Sequence, residues 1–165
     1  MSPVSPKKSP VRRLLESRRI PHQVYTYATD IRSAAEAARA LGFPSHEVYK
    51  TLVVLPPRGR PLLVLIPGPC VLDLKRLARV VGEKKLRMAT HREAEDLTGL
   101  QVGGISALAL LDRGFQVYLD RSAEKLSAFV VSAGQRGMNL RLRVDDFVRL
   151  AKARFADASG EQENV

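Results

Sequence analysis

Tryptophan is absent from this chain of 165 residues, aromatic residues make up 5% of it, and it has a single cysteine. So few rings exclude a broad stacking platform for single-stranded nucleic acid, which needs exposed aromatic faces for successive bases. The lone Cys70 cannot close an internal disulfide, which suits a reducing compartment. It stands in Gly68-Pro69-Cys70-Val71 with no histidine nearby in sequence, and reads as an inert, buried thiol. No apolar run approaches the roughly 20 residues of a membrane span, and the first residues lack a signal-peptide apolar stretch. The expectation is a cytoplasmic protein with no membrane contact. His22, His46 and His91 are scattered and make no metal-ligand spacing. There is no G-x-S-x-G elbow, Cys/His pair, phosphate loop or dinucleotide fingerprint. Metal, triad and nucleotide-cofactor chemistries are therefore disfavoured, and no cofactor is expected.

Acidic residues are the other shortage. Seventeen Asp and Glu stand against 27 Lys and Arg, a net charge of +10 and a pI near 10.3. For a cytoplasmic domain this favours a polyanionic partner, with nucleic acid the first choice and phosphate contacts its natural mode.

An apolar fraction of 45% is enough for one real core. Residues 1–10, MSPVSPKKSP, read as a flexible basic tail, 11–157 as one folded domain, and 158–165 as a second flexible tail. Helices are expected from Val11, behind the capping boxes at Ser33 and Thr90, behind Asp73, and from Asp145. Strands are expected over 22–27, 48–55, 62–66, around Leu86, and over 105–110, 116–119, 128–132 and 140–143, with a hairpin at Pro56–Arg60. Strands in hairpin-like succession with unevenly spaced helices predict an α+β fold. It is a single compact domain, a mixed and mostly antiparallel sheet or barrel with surrounding helices.

Within this pattern Lys50 stands out. It lies in the apolar strand VYKTLVVL and shares a face with Val48, Leu52 and Val54. Such an ammonium either escapes at the strand's end or faces a pocket that uses its charge. Three glycine-rich corners accompany it, at Gly68-Pro69, at Gly99 to Ser106 and at Ser132 to Gly137. Corners of this kind aim backbone N–H groups at a carbonyl or anion, or are ordinary tight turns. One lysine, backbone amides and small hydroxyls suit holding a carbonyl and stabilising developing negative charge.

The segments VYKTL at 48–52, LDLKRLA at 72–78, TGLQVGGIS at 98–106, SAGQRG at 132–137 and KARFAD at 152–157 occur in order. Together they resemble the YbaK/ProX family of trans-editing aminoacyl-tRNA deacylases, nearest the Cys-tRNA(Pro) deacylase branch, over residues 11–157. The resemblance implies a compact α+β domain on a mixed barrel and cleavage of a wrong amino acid from tRNA. It implies catalytic roles for Lys50, Gly103 and Gly104, and substrate contacts at Tyr27, Thr51, Ser106, Ser132, Gly134 and Asn139. Aminoacyl-tRNA, with tRNA(Pro) first, is the implied partner, and a transient prolyl-tRNA synthetase complex another. In that branch the substrate's own thiol can attack the ester and leave as a thiolactone.

The chain departs from the family pattern at Ala107, Ala133, Gln135 and Asn139. A shortened stretch between Tyr27 and Lys50 also leaves a pocket aromatic without a clear counterpart. Two alternatives stay open: editing of another small amino acid such as alanine, and a non-catalytic tRNA-binding or synthetase-associated module.

Overall fold

Ten strands and five helices form around a central five-stranded sheet in the computed structural model, which describes residues 9–31 and 33–162. The helices are α1 (Pro10–Ser17), α2 (Ala34–Leu41), α3 (Leu74–Val81), α4 (His91–Thr98) and α5 (Val144–Ala151). The strands are β1 (His22–Thr26), β2 (Tyr49–Leu55), β3 (Leu62–Pro67), β4 (Cys70–Leu72) and β5 (Arg87–Met88). They continue with β6 (Gln116–Asp120), β7 (Ala128–Gln135), β8 (Met138–Arg143), β9 (Arg154–Ala156) and β10 (Ser159–Gln162).

Local sequence explains the helix starts. Ser33 Oγ accepts from Glu36 N, Asp73 from Arg76 N, and Thr90 and Glu93 cap each other reciprocally. Each satisfies amides that the first helical turn leaves without partners.

The central sheet runs β5-β2-β3-β6-β9, beside a β1-β8-β7 sheet and a β10-β4 pair. The ladders are mostly antiparallel, but β3–β6 and β6–β9 are parallel. The α+β expectation therefore holds, while the barrel does not: among the described residues the ladders form three separate sheets. One face of the central sheet packs Tyr49, Val53, Leu63, Leu65 and Leu119 into the main core with Phe129 and Phe147. Tyr49, Phe129 and Phe147 meet edge to face at centroid distances of 5.2 Å, each contact adding about 0.5–1.5 kcal/mol beyond burial. The other face packs Val54, Val64, Ile66 and Tyr118 under Leu77 and Ala78 of α3.

Three expectations need correction. Residues 105–110 are not a strand: Ser106 Oγ accepts from Ala109 N at 3.3 Å, and the run folds into a turn with a 3-10 segment at Leu108–Leu110. Its apolar residues reach the main core all the same, so burial alone gave no clue to the backbone. The expected C-terminal tail is paired through β10 on β4, because Asp120 fastens its start. The expected N-terminal tail ends one residue earlier, since Ser9 caps α1 at Pro10. Residues 1–8 and 163–165 of those tails lie outside the described residues.

Asp120 is 4% exposed and accepts from Ser122 N and Oγ, Ala158 N, and Ser159 N and Oγ, at 2.6 to 3.2 Å. Burial pushes its carboxyl up, and the hydrogen bonds from Ser122, Ala158 and Ser159 outweigh this and hold it below its ordinary value. Asp120→Ala should cost at least about 2 kcal/mol, because buried donors lose a charged acceptor. For a chain of this size that is a fall of at least about 4 °C in Tm. The contribution is present in full above the unfolded carboxylate value of 3.8 and is lost as pH falls through the lower folded value. Thermal melts of both proteins should therefore converge as the pH drops below that range.

Candidate active site

Lys50 is the second residue of β2 in the central sheet, half-buried, with Ile66 of β3 directly opposite. By alternation it points to the same side as Val48 and Leu52. Val48 packs with Ala38 and Val130, and Leu52 with the cluster under α3, so the lysine emerges between two apolar patches. The chain before it is closely fitted to α2. Gly68 N donates to Val48 O at 2.8 Å, and a Cβ on Gly68 would stand 2.8 Å from Ala34 Cβ. Only glycine lets the helix approach here.

Val48 also bridges Val130 of β7 in the parallel sense, and two residues further along each strand stand Lys50 and Ser132. Ser132 begins the glycine corner at 132–137. Its Oγ accepts from Gly134 N at 3.2 Å, holding the irregularity in β7 between Ser132 and Gln135. Asn139 lies opposite Ser132 on β8 and is 5% exposed. Its Oδ1 accepts from Tyr27 OH at 3.2 Å. Burial raises the Tyr27 phenol above its ordinary value, opposed by a hydrogen bond from the Gly137 backbone. The phenol therefore stays protonated at neutral pH and acts as a donor.

The glycine corner at 99–106 docks directly on the one at 132–137. A Cβ on Gly104 would lie 2.7 Å from both Arg136 N and Gln135 C, so two backbones touch where a side chain would be. Arg136 Nε ties them further by donating to Val102 O at 2.8 Å. Gly103, at φ +93°, makes the turn that brings its neighbour in. The N–H of Gly104 already donates to Gln101 O at 2.8 Å. That of Gly103 has no acceptor among the described residues. Thr29, Asp30, Gln101, Gln135 and Arg136 line a shallow depression of about 620 Å³ at this junction.

Tyr27, Gly103, Gly104, Ser132, Gly134 and Asn139 thus form one continuous assembly, and the Val48–Val130 bridge brings the end of β2 that carries Lys50 alongside β7, which carries Ser132. Ser106 adjoins this assembly, its Cβ 4.0 Å from where a Cβ on Gly134 would stand, while Thr51 stands apart. Ser106 is 1% exposed, and its hydroxyl caps the turn at Ala109. Thr51 alternates to the opposite face from Lys50, and its buried Oγ1 has no hydrogen-bond partner. Cys70 is only half-buried, contrary to the sequence expectation. Burial and the Asp120 charge push its thiol up, while Lys50 and Ser159 oppose them.

Sequence reasoning missed Phe43. Its ring meets Tyr25 edge to face at 5.1 Å, lies under the Arg141 guanidinium, and packs on the Val48 cluster. Its position just after the Gly42 helix cap was the available signal, since chain leaving a capped helix often folds back onto it.

The chain belongs to the aminoacyl-tRNA editing domain family, whose model matches residues 28–150. It is 34% identical to the Enterococcus faecalis protein EbsC, named as a candidate Cys-tRNA(Pro)/Cys-tRNA(Cys) deacylase, over 94% of this chain and 96% of that one. A proline–tRNA ligase of Thermodesulfovibrio yellowstonii shares 26% identity over 70% of this chain, matching 19% of the ligase. Among solved structures, one described as a candidate trans-editing enzyme for prolyl tRNA synthetase superposes with a TM-score of 0.76 at 29% identity. That match covers 94% of this chain and all of the other. The hypothetical protein APE2540 gives a TM-score of 0.83 at 28% identity, covering 91% and 99%. The fold and family are those of trans-editing deacylases acting on aminoacyl-tRNA. No helix among the described residues is long and apolar enough to cross a membrane.

Gly104→Ala tests the backbone junction. The added methyl must push the two corners apart, which should cost about 1–3 kcal/mol of stability. Deacylation should fall at least about ten-fold in protein that remains folded, since small displacements of positioning groups are costly. Thermal melting and single-turnover hydrolysis of aminoacyl-tRNA read the two effects separately.

Proposed function

We propose that this protein releases cysteine mischarged onto tRNA(Pro), acting in trans beside a prolyl-tRNA synthetase. One observation carries the reading: a lysine between apolar patches, on a strand end that the Val48–Val130 bridge sets beside the strand of Ser132. In this scheme the substrate's thiol sulfur attacks its own ester carbonyl. The C–S bond forms, the ester C–O bond breaks, and the terminal ribose oxygen leaves with the thiol's proton, releasing a cyclic thiolactone. Because the nucleophile is already intramolecular, the enzyme supplies orientation and electrostatic stabilisation.

Lys50 orients the terminal nucleotide or the carbonyl and offsets negative charge. Gly103 N–H donates to the carbonyl oxygen, while Gly104 keeps that amide in place. Tyr27, Ser132, Gly134 and Asn139 wall the amino-acid side. A pocket of this kind discriminates a methylene by only about 1–3 kcal/mol. Thiol chemistry adds selectivity because alanine and proline cannot cyclise in this way. The protein's own thiol is a poor rival nucleophile, since burial and Asp120 favour its protonated form.

Lys50→Ala should cut single-turnover deacylation of Cys-tRNA(Pro) at least about a hundred-fold, the scale of losing one electrostatic stabiliser. Folding, read by circular dichroism, should survive. Lys50→Arg should also be impaired, because a planar guanidinium does not occupy an ammonium's position. Near-normal rates in folded Lys50→Ala would return this lysine to a structural role and remove the basis of the proposal.

Cys70→Ala should retain turnover while losing at most a few kcal/mol of stability. A folded Cys70→Ala protein without activity would show that the enzyme's sulfur, not the substrate's, takes part.

A further inference from the structure

A cleft of about 920 Å³ lies away from Lys50. Lys50 faces Ile66 at one end of the central sheet, whereas the cleft opens at Gln116, which pairs with Leu62. Four residues of β3 separate the two ends, about 13 Å along the strand. Five exposed cations line the cleft: Arg18, Arg60, Arg149, Lys152 and Arg154. Asp112 is the one carboxylate among the lining residues. Arg149 is paired with Asp146 at 2.6 Å, while Arg18, Arg60, Lys152 and Arg154 form no ion pair among the described residues.

Backbone conformation sets this place apart as well. Helices α2, α3 and α4 end on left-handed glycines, which adopt that conformation without strain. At the cleft, α5 ends on Lys152 at φ +51°, and α1 is followed by Arg19 at φ +55°. Asp112, at φ +62°, is the remaining non-glycine residue with positive φ in the described chain. All three therefore lie in or beside one cleft. A cation at a helix C-terminus complements the helix dipole, but Arg60 lies in a hairpin and Arg154 in a strand.

We propose that this cleft is a second contact for the same tRNA, gripping the phosphate backbone of its double-stranded part while the aminoacylated end reaches Lys50. The inference rests on the editing reading above. Unpaired cations around a concave surface match a repeating polyanion, and the two rings lining it, Phe115 and Tyr118, are too few to read bases by stacking.

The test measures binding of uncharged tRNA(Pro) by fluorescence anisotropy between about 50 and 200 mM salt, independently of any chemistry. The variant carries Arg60→Ala, Lys152→Gly and Arg154→Ala together. Glycine suits the left-handed position of Lys152, so this change removes charge without straining the fold. A control removes equal charge from the α3 side, with Lys75→Ala, Arg79→Ala and Lys84→Ala. The cleft variant should bind at least about ten-fold more weakly at the lower salt, and its log–log salt slope should shrink by about 2 to 3. Its single-turnover rate at saturating enzyme should match that of the parent, while the half-saturating concentration rises. The control should leave binding and slope unchanged. Equal losses in both variants, or unchanged binding in the cleft variant, would overturn the proposal. Should the parent hydrolyse no aminoacyl-tRNA, the editing reading fails, while the binding arm still decides whether the cleft holds RNA.

Discussion

Two stretches of backbone touch at Gly104, and the candidate active site depends on that contact. With no side chain between them, the 99–106 corner lies against Gln135 and Arg136 closely enough for the Arg136 guanidinium to reach Val102 O. From there the links run outward. Gly137 packs on the backbone of Tyr27, the Tyr27 hydroxyl reaches Asn139, and Asn139 faces Ser132 across β7 and β8. Each link is weak alone, of the order of 1 kcal/mol for a neutral hydrogen bond. Together they hold the two glycine corners, Tyr27 and Asn139 in one neighbourhood using almost no side-chain volume.

Much of this was legible in the residue pattern, and the reasons differ from place to place. The helix starts at Ser33, Asp73 and Thr90 were readable because capping is chemistry between neighbours in sequence. Lys50 was conspicuous because an ammonium in an apolar strand needs an explanation. The parallel pairings of β6 with β3 and β9 were not readable, since no local signal distinguishes a strand that crosses over from one that turns back. The 105–110 run misled for a related reason: its burial pattern fits a strand, and the hydroxyl of Ser106 decides for a turn.

Site details were lost at the same level. Residue types pointed to Gly103 and Gly104 together, yet hydrogen bonding divides them, because Gln101 already occupies the second amide. Thr51 was grouped with its neighbour Lys50, and strand alternation sends it to the other face. Charge behaved similarly. The excess of bases was plain from composition, but its concentration around the cleft required helix ends, a hairpin and an edge strand to converge.

The bonds of Asp120 also bear on the order in which the molecule can be completed. Its carboxylate accepts the amides of residues 158 and 159, and its strand is flanked by β3 on one side and β9 on the other. During synthesis, the strand carrying Lys50 and the hairpin behind it emerge long before the segment that closes the row beyond them. Until that last stretch leaves the ribosome, a carboxylate destined for burial lacks two of the three amides it receives, and the part of the second face that Ala156 and Ala158 cover stays open. A nascent chain of this protein therefore carries Lys50 in its strand well before the C-terminal segment locks the sheet that holds it.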